Sequence, residues 1–202
     1  STFTEAQRDL LKDAAAELQA KVPGSQVNVG GEVFATTMPH VSWVEAIGVL
    51  VALVVLVVTL GSLLAAAIPL VLALLGAGQS ILLIFIASGL VKINSTTMML
   101  ALMLALAVGI DYSLFIVSRH RDQLAKGLDV EESAARATAT AGSAVVFAGL
   151  TVIIALVGLN VAQIPFLGMM GNFAAVAVAI EVALALTLLP ALLGFFGERL
   201  RP

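Results

Sequence analysis

The sequence predicts an all-α membrane protein: a bundle of five transmembrane helices preceded by a small extracytoplasmic α+β remnant of a larger domain. Three observations lead there. The chain is 60% hydrophobic and only 11% charged, with a mean hydropathy of +1.10, whereas soluble domains carry about 25% charged residues. Its apolar residues fall into five segments that each reach the roughly 20 residues needed to span a bilayer. No charged residue lies between Lys92 and Asp111, and Arg119 then closes the run.

Residues 1–42 are polar and amphipathic. Thr4 and Gln7 have the spacing of a capping box, in which side chains satisfy free N–H groups of a first helical turn. Leu10, Leu11, Ala14, Leu18 and Val22 recur at helical spacing, and Pro23-Gly24 stops the helix. Gln26 to Val29 alternates polar and apolar, which predicts a short strand ended by Gly30-Gly31. One helix and one strand cannot bury a core, so this piece reads as the tail of a larger α+β domain. It has no charged start followed by an apolar run, the pattern of a signal peptide. A chain that begins outside the cytoplasm without such a signal is expected to be a piece of a longer protein, and Ser1 in place of an initiator Met agrees.

The second domain, residues 43–202, holds the apolar segments. The first runs from about Val41 to Leu60 and turns at Gly61-Ser62; the second runs to Leu90 and is broken by Pro69, Gly76 and Gly78. The third covers Ser95 to Ser118, the fourth Ala134 to Leu159, and the fifth Ile164 to Phe196. Lys and Arg mark the cytoplasmic side of short loops. Arg119, Arg121, Lys126 and Arg136 sit in one loop, Arg199 and Arg201 at the C-terminus, and Lys92 alone on the other side. The 119–136 loop and the C-terminus are therefore expected in the cytoplasm, and residues 1–42 outside. Gly127 is expected to stop the third helix in the left-handed conformation, and Asp129 with Glu132 to cap the next, forming an amphipathic elbow over 119–135. Small residues on the fourth segment (Ala134, Thr138 and Gly142 on one face, Ala137, Ala141 and Gly149 on another) let backbones approach closely in lipid. They predict a helix packed inside the bundle.

Asp111 and Tyr112 are the first candidates for chemistry. Asp111 lies eight residues before Arg119, about 12 Å in from the cytoplasmic interface. A carboxyl at that depth is costly and is rarely kept without use. Tyr112 adds a hydroxyl able to donate to a carboxylate or pass a proton. The two side chains diverge by about 100° on a helix, so each needs a partner from another helix. The pair reads as a proton relay; the alternative is a structural Asp bonded to a neighbouring Ser or Thr. Glu181 is the other deeply placed carboxyl, and three readings stay open: a second proton or cation site, a protonated acid bonded to a neighbour, or a passive group facing a cavity. Ser143, Thr151, Asn172 and Glu181 are the partners the chain offers the pair, with Glu181 and Ser143 as secondary site positions. Asn160, Gln163 and Asn172 are expected to cap the last outer loop, and Glu45 to be solvated at the outer membrane edge. His40 and His120 are isolated, and Met98, Met99, Met103, Met169 and Met170 read as adaptable packing. No metal site, cofactor or nucleophile–base pair is indicated, so no enzyme is predicted. The chain has no cysteine, and no basic patch with aromatics suggests nucleic acid.

The stretch Gly-Ile-Asp-Tyr-Ser-Leu-Phe-Ile-Val-Ser-Arg (109–119) resembles the signature of the mycobacterial membrane protein large (MMPL) family, within the resistance–nodulation–division superfamily. Val-Lys-Ile-Asn-Ser-Thr-Thr (91–97), Ala-Gly-Ser-Ala-Val-Val-Phe-Ala-Gly-Leu-Thr-Val (141–152) and Leu-Thr-Leu-Leu-Pro-Ala-Leu-Leu (186–193) support it. The resemblance covers most of the chain after about residue 25. It implies a proton-driven exporter of lipids or other hydrophobic molecules in the bacterial cytoplasmic membrane. Such proteins have two repeats, each with one helix, an extracytoplasmic porter domain and five further helices. This chain then corresponds to the end of a porter domain (1–42) plus five helices, and its Ile-Asp-Tyr-x-Leu-Phe form resembles first repeats. The implied partners are membrane lipids, a hydrophobic substrate, protons, and the second repeat or a second copy of the chain. The relay carries over to Asp111 and Tyr112. Ala148 stands where many members have Ser, and Glu181 departs from the pattern. The five-helix unit is also similar to sterol-sensing domains, so a lipid-sensing or scaffold module without transport is the alternative.

Overall fold

The computed structural model describes residues 5–22, 24, 26–30, 43–91 and 93–201. The chain divides into two units, Ser1–Pro39 and His40–Pro202. In the first, helix α1 spans Glu5–Lys21 and Gly24 follows it with φ +89°. Leu10, Leu11 and Leu18 lie exposed along α1, as does Val22 just past its end. Residues 26–30 form no strand, and no strand occurs among the described residues. The expected α+β remnant is thus not supported: alternation at Gln26–Val29 cannot make a strand without a pairing edge, since a lone strand leaves its ladder groups unbonded. Thr4 and Gly31 lie outside the described residues, as does the side chain of Glu45.

The second unit is all helical: α2 (Trp43–Leu60), α3 (Leu63–Ser88), α4 (Ser95–Ala125), α5 (Val130–Gly158), α6 (Pro165–Leu186) and α7 (Leu188–Phe196). Four stretches are long and apolar enough to cross a membrane: Leu63–Ser88, Ser95–Ala125, Val130–Ala162 and Pro165–Leu200. The apolar part of α2, Ala46–Leu60, is shorter.

Local chemistry sets most of these ends. Gly61 takes φ +63°, and Ser62 caps α3 by accepting from the Ala65 N–H at 3.4 Å. Asn94 caps α4 by accepting from the Thr96 N–H at 2.9 Å. At the other end of α4, Gly127 has φ +87°. Its N–H donates to the Leu124 carbonyl at 3.0 Å, and the Leu128 N–H reaches back to Gln123 at 3.2 Å. That paired closure is a Schellman motif, which needs a left-handed residue and so favours glycine. Asp129 then caps α5 through the Glu131 N–H at 3.2 Å, while Glu132 turns outward to Arg136 at 2.6 Å.

Three expectations are corrected. Pro69, Gly76 and Gly78 do not break α3, which is continuous; packing on both sides of the helix outweighs their poor intrinsic propensity. The fifth apolar segment is two helices. They part at Thr187 because Pro190 has no N–H to bond the Leu186 carbonyl and its ring crowds that turn. The Thr187 hydroxyl donates to the Ala183 carbonyl at 2.6 Å across the break. Finally, α5 is not enclosed. Only 11% of its apolar window is buried, against 33%, 39% and 33% in the other three stretches. Its small residues Ala134, Ala137, Ala141, Gly142 and Gly149 are buried against the bundle, but Phe147, Leu150 and Ile154 face outward.

Two apolar clusters fill the bundle, the first running along α3 to α7 and the second along α3, α4 and α6. One includes Leu72, Ile116, Val117, Ala185 and Leu189; the other includes Ala77, Ile84, Met98, Ala105 and Ala177. A third joins α2 to α3 through Leu56, Ala66 and Leu70. The last turn is tied down by Arg201, which donates to the Leu124 carbonyl at 2.6 Å and grips Glu198 through two nitrogens.

Candidate functional site

Asp111 and Tyr112 lie near the middle of α4, about four turns from either end. They do not share an environment. Asp111 is exposed on the flank of the bundle and forms no hydrogen bond among the described residues. Tyr112, the chain's single tyrosine, is half-buried against the apolar cluster of Leu72 and Ile116. Gly149 on α5 makes room for it: a methyl built at Gly149 would sit 3.5 Å from the Tyr112 ring and would collide with Val182. Close approach of α5 is what holds the ring in place.

Beside the pair lies an open groove of about 530 Å³, lined by Ala107, Val108, Ile110, Asp111 and Tyr112 of α4 and Val152 of α5. Its walls are apolar apart from the pair. A carboxyl and a phenol at the edge of such a groove can exchange protons with any polar group a facing helix presents.

The expected partners are elsewhere. Ser143 is exposed and donates to the Thr140 carbonyl of its own helix at 2.8 Å. Thr151 does the same to Phe147 at 2.8 Å. Asn172, on α6, accepts at 2.8 Å from Asn160 in the connection between α5 and α6, and Asn160 also donates to the Val157 carbonyl of α5 at 2.7 Å. Gln163 completes that loop with φ +54°, so these amides shape the turn.

Glu181 is on the opposite side of α4 from Asp111. It is 1% exposed, and neither carboxyl oxygen has a hydrogen-bond partner. Its carboxyl fills space left by two glycines: a methyl at Gly76 of α3 or at Gly109 of α4 would overlap it. Gly109 stands two residues before Asp111, about 200° around the helix. One helix therefore carries a carboxyl on one flank and seats another on the reverse.

A polar cluster near the α4–α5 turn escaped sequence reasoning. His120, expected to be isolated, is fully buried, and its Nδ1 lies 2.9 Å from the Ser133 hydroxyl, which also donates to the His120 carbonyl at 2.8 Å. Arg121 is 8% exposed with one guanidinium nitrogen unpartnered. The signal was available in principle, since Ser133 is the N4 position of a capped helix that must fold back along α4. Among the described residues no three His, Cys, Asp or Glu side chains gather as a metal site.

A model of the MMPL family matches residues 1–202. Over 186 residues the chain is 48% identical to membrane protein YdfJ of Bacillus subtilis, an alignment that covers 92% of this chain and 24% of that protein. It is 38% identical over 148 residues to the mycolic acid-containing lipids exporter MmpL11 of Mycolicibacterium smegmatis, covering 73% and 16%. It is 35% identical over 96 residues to the trehalose monomycolate exporter MmpL3 of Mycobacterium tuberculosis, covering 48% and 10%. The chain thus spans a quarter or less of the length of each of these relatives.

Proposed function

The chain belongs to the MMPL family and is a multi-pass membrane protein, and from that premise we propose that it is the proton-coupling transmembrane half of an exporter of lipids or other hydrophobic molecules, driven by the proton-motive force. The observation that carries this reading is Asp111: a carboxyl on an apolar helix, at the edge of an apolar groove, with no partner of its own. A structural Asp would be bonded within the bundle, whereas one kept unbonded on its flank has a use there. Asp111 binds and releases the proton, and Tyr112 hands it on. The groove is closed by the second repeat of the same transporter or by a second copy of this chain, which supplies the facing polar groups. Ser143, about 9 Å nearer the cytoplasm along α5 than Gly149, is a secondary position on the route. The substrate class follows two relatives named as lipid exporters.

In this reading α2 is the fifth span, residues 1–42 end an extracytoplasmic domain, and residues 43–202 form the membrane domain. The 119–135 elbow and the C-terminus face the cytoplasm of a bacterial cell. Single cysteines test the orientation in a chain that has none. Asn28→Cys should react with an impermeant thiol reagent on intact cells, and Lys126→Cys only after lysis. The reverse pattern overturns the orientation.

The half-transporter reading has its own test. Purified and reconstituted in vesicles under an imposed pH gradient, the 202-residue chain should move no lipid substrate, because its relay lacks the facing groups. Robust gradient-driven movement by this chain as a monomer contradicts it.

A further inference from the structure

Glu181 has no role in the relay at Asp111, yet the bundle is built around it. On α6 it lies between Ala177 and Ala185, one turn from each, and those two alanines belong to different apolar clusters. On α4 the same level is Gly109, between Ala105 and Ile116; on α3 it is Gly76, between Leu72 and Ala77. The carboxyl thus occupies the joint between the two clusters, at the one level where both facing helices lack a side chain. Ala73 closes the cradle: its Cα would be 2.9 Å from a methyl at Gly109.

Both carboxyl oxygens are buried and unpartnered. So is the hydroxyl of Ser113, one turn past Gly109 on the same face of α4. The nearby Gly76 carbonyl already accepts from Ser80 at 2.8 Å. An unpaired charge in such a place is held only if something neutralises it. A metal cation asks for several oxygen ligands, and the cradle offers glycines and alanines. A proton asks for the carboxyl alone. A purely structural acid would bond its hydroxyl to a neighbour, and none is in place here.

We propose that Glu181 is a second proton-binding site, an inner carboxyl that takes up and releases one proton in the seam between α3, α4 and α6. Uptake transfers one proton from a hydronium ion to a carboxyl oxygen, so one O–H bond breaks in the donor as one forms on Glu181. Release leaves a carboxylate that water must reach, so it requires the seam to part at Gly76 and Gly109. The carboxyl is well isolated from other titrating groups. Helix α3 has none between Leu63 and Ser88, α7 has none, and α6 has only Glu181. Helix α5, packed against α6, carries Glu131, Glu132 and Arg136 in its first two turns only. On α4 the nearest are Asp111, on the far flank, and Tyr112, against Gly149; the exposed Arg119 and the buried His120 and Arg121 lie about three turns past Gly109.

The inference stands apart from the relay, and the test keeps them separate. The full-length protein containing this chain is placed in lipid nanodiscs, and the infrared stretch of protonated carboxyls is followed from about pH 5 to pH 9. One titrating band is expected to vanish in Glu181→Gln and to persist in Asp111→Asn. Gly109→Ala, which crowds the carboxyl, should shift the midpoint of that band while leaving Glu181 in the chain, and it serves if Glu181→Gln does not fold. A band that is lost in Glu181→Gln but constant across the range assigns a permanently neutral acid and overturns the proposal. So does the absence of any such band, or a midpoint that moves with sodium at fixed ionic strength, which would assign a cation site instead.

Discussion

Replacing Asp111 with Asn in the full-length transporter is expected to abolish export while leaving expression and folding nearly intact. The side chain keeps its size and can still hydrogen-bond, but it no longer titrates. Loss of a proton-transferring group costs about 10²-fold or more in rate. Little stability is at stake, because Asp111 is exposed and bonds to nothing among the described residues. Tyr112→Phe should reduce export less. It keeps the ring that packs beside Gly149 and removes only the hydroxyl. Export in cells, normalised to the amount of protein in the membrane, checks both. Full export by Asp111→Asn would show that substrate moves without this carboxyl and would overturn the relay.

The second large effect is on stability. Gly171→Ala should destabilise the α5–α6 hairpin by about 1–3 kcal/mol, and Gly171→Val by more. A methyl at Gly171 would overlap the Leu156 carbonyl oxygen of α5 and sit 3.1 Å from its carbon. Backbone on a helix cannot swing aside as a side-chain tip can, so the helices must separate. Gly78→Ala is the control. Nothing lies within 4 Å of that position, and removing a helix-interior glycine stabilises by about 0.8–1.0 kcal/mol. Equilibrium unfolding in mild detergent should move the two variants in opposite directions. Equal stability of Gly171→Ala and the parent would mean that α5 and α6 do not approach as closely as described.

The elements that were legible in the sequence are those fixed by local chemistry. Gly127 after a long helix and Asp129 before the next each act within a turn of themselves. The apolar segments were legible because the bilayer's thickness imposes a length. What was not legible depends on a partner distant in sequence. Gln26–Val29 has the alternation of a strand but no edge to pair with among the described residues. Pro69 and Gly76 look like breakers, but packing keeps α3 whole, and Gly76 has a positive use as space for a carboxyl. The small residues of α5 correctly mark a contact face, though one side of contact does not enclose a helix. For the site, the sequence singled out Asp111 and Glu181 by their cost in an apolar setting. It could not say that one lies on the flank and the other in the seam, since that depends on how α4 is rotated against α3 and α6.

With Asp111 in the role proposed for it, protons drive the work done through this domain. The most direct measurement is substrate movement by the full-length transporter in sealed vesicles, with the pH gradient across the membrane as the only variable. Movement should be rapid with the gradient imposed, stop when a protonophore collapses it, and fail in Asp111→Asn under either condition. Movement that continues at the same rate without a gradient would contradict proton coupling and with it the role given to Asp111.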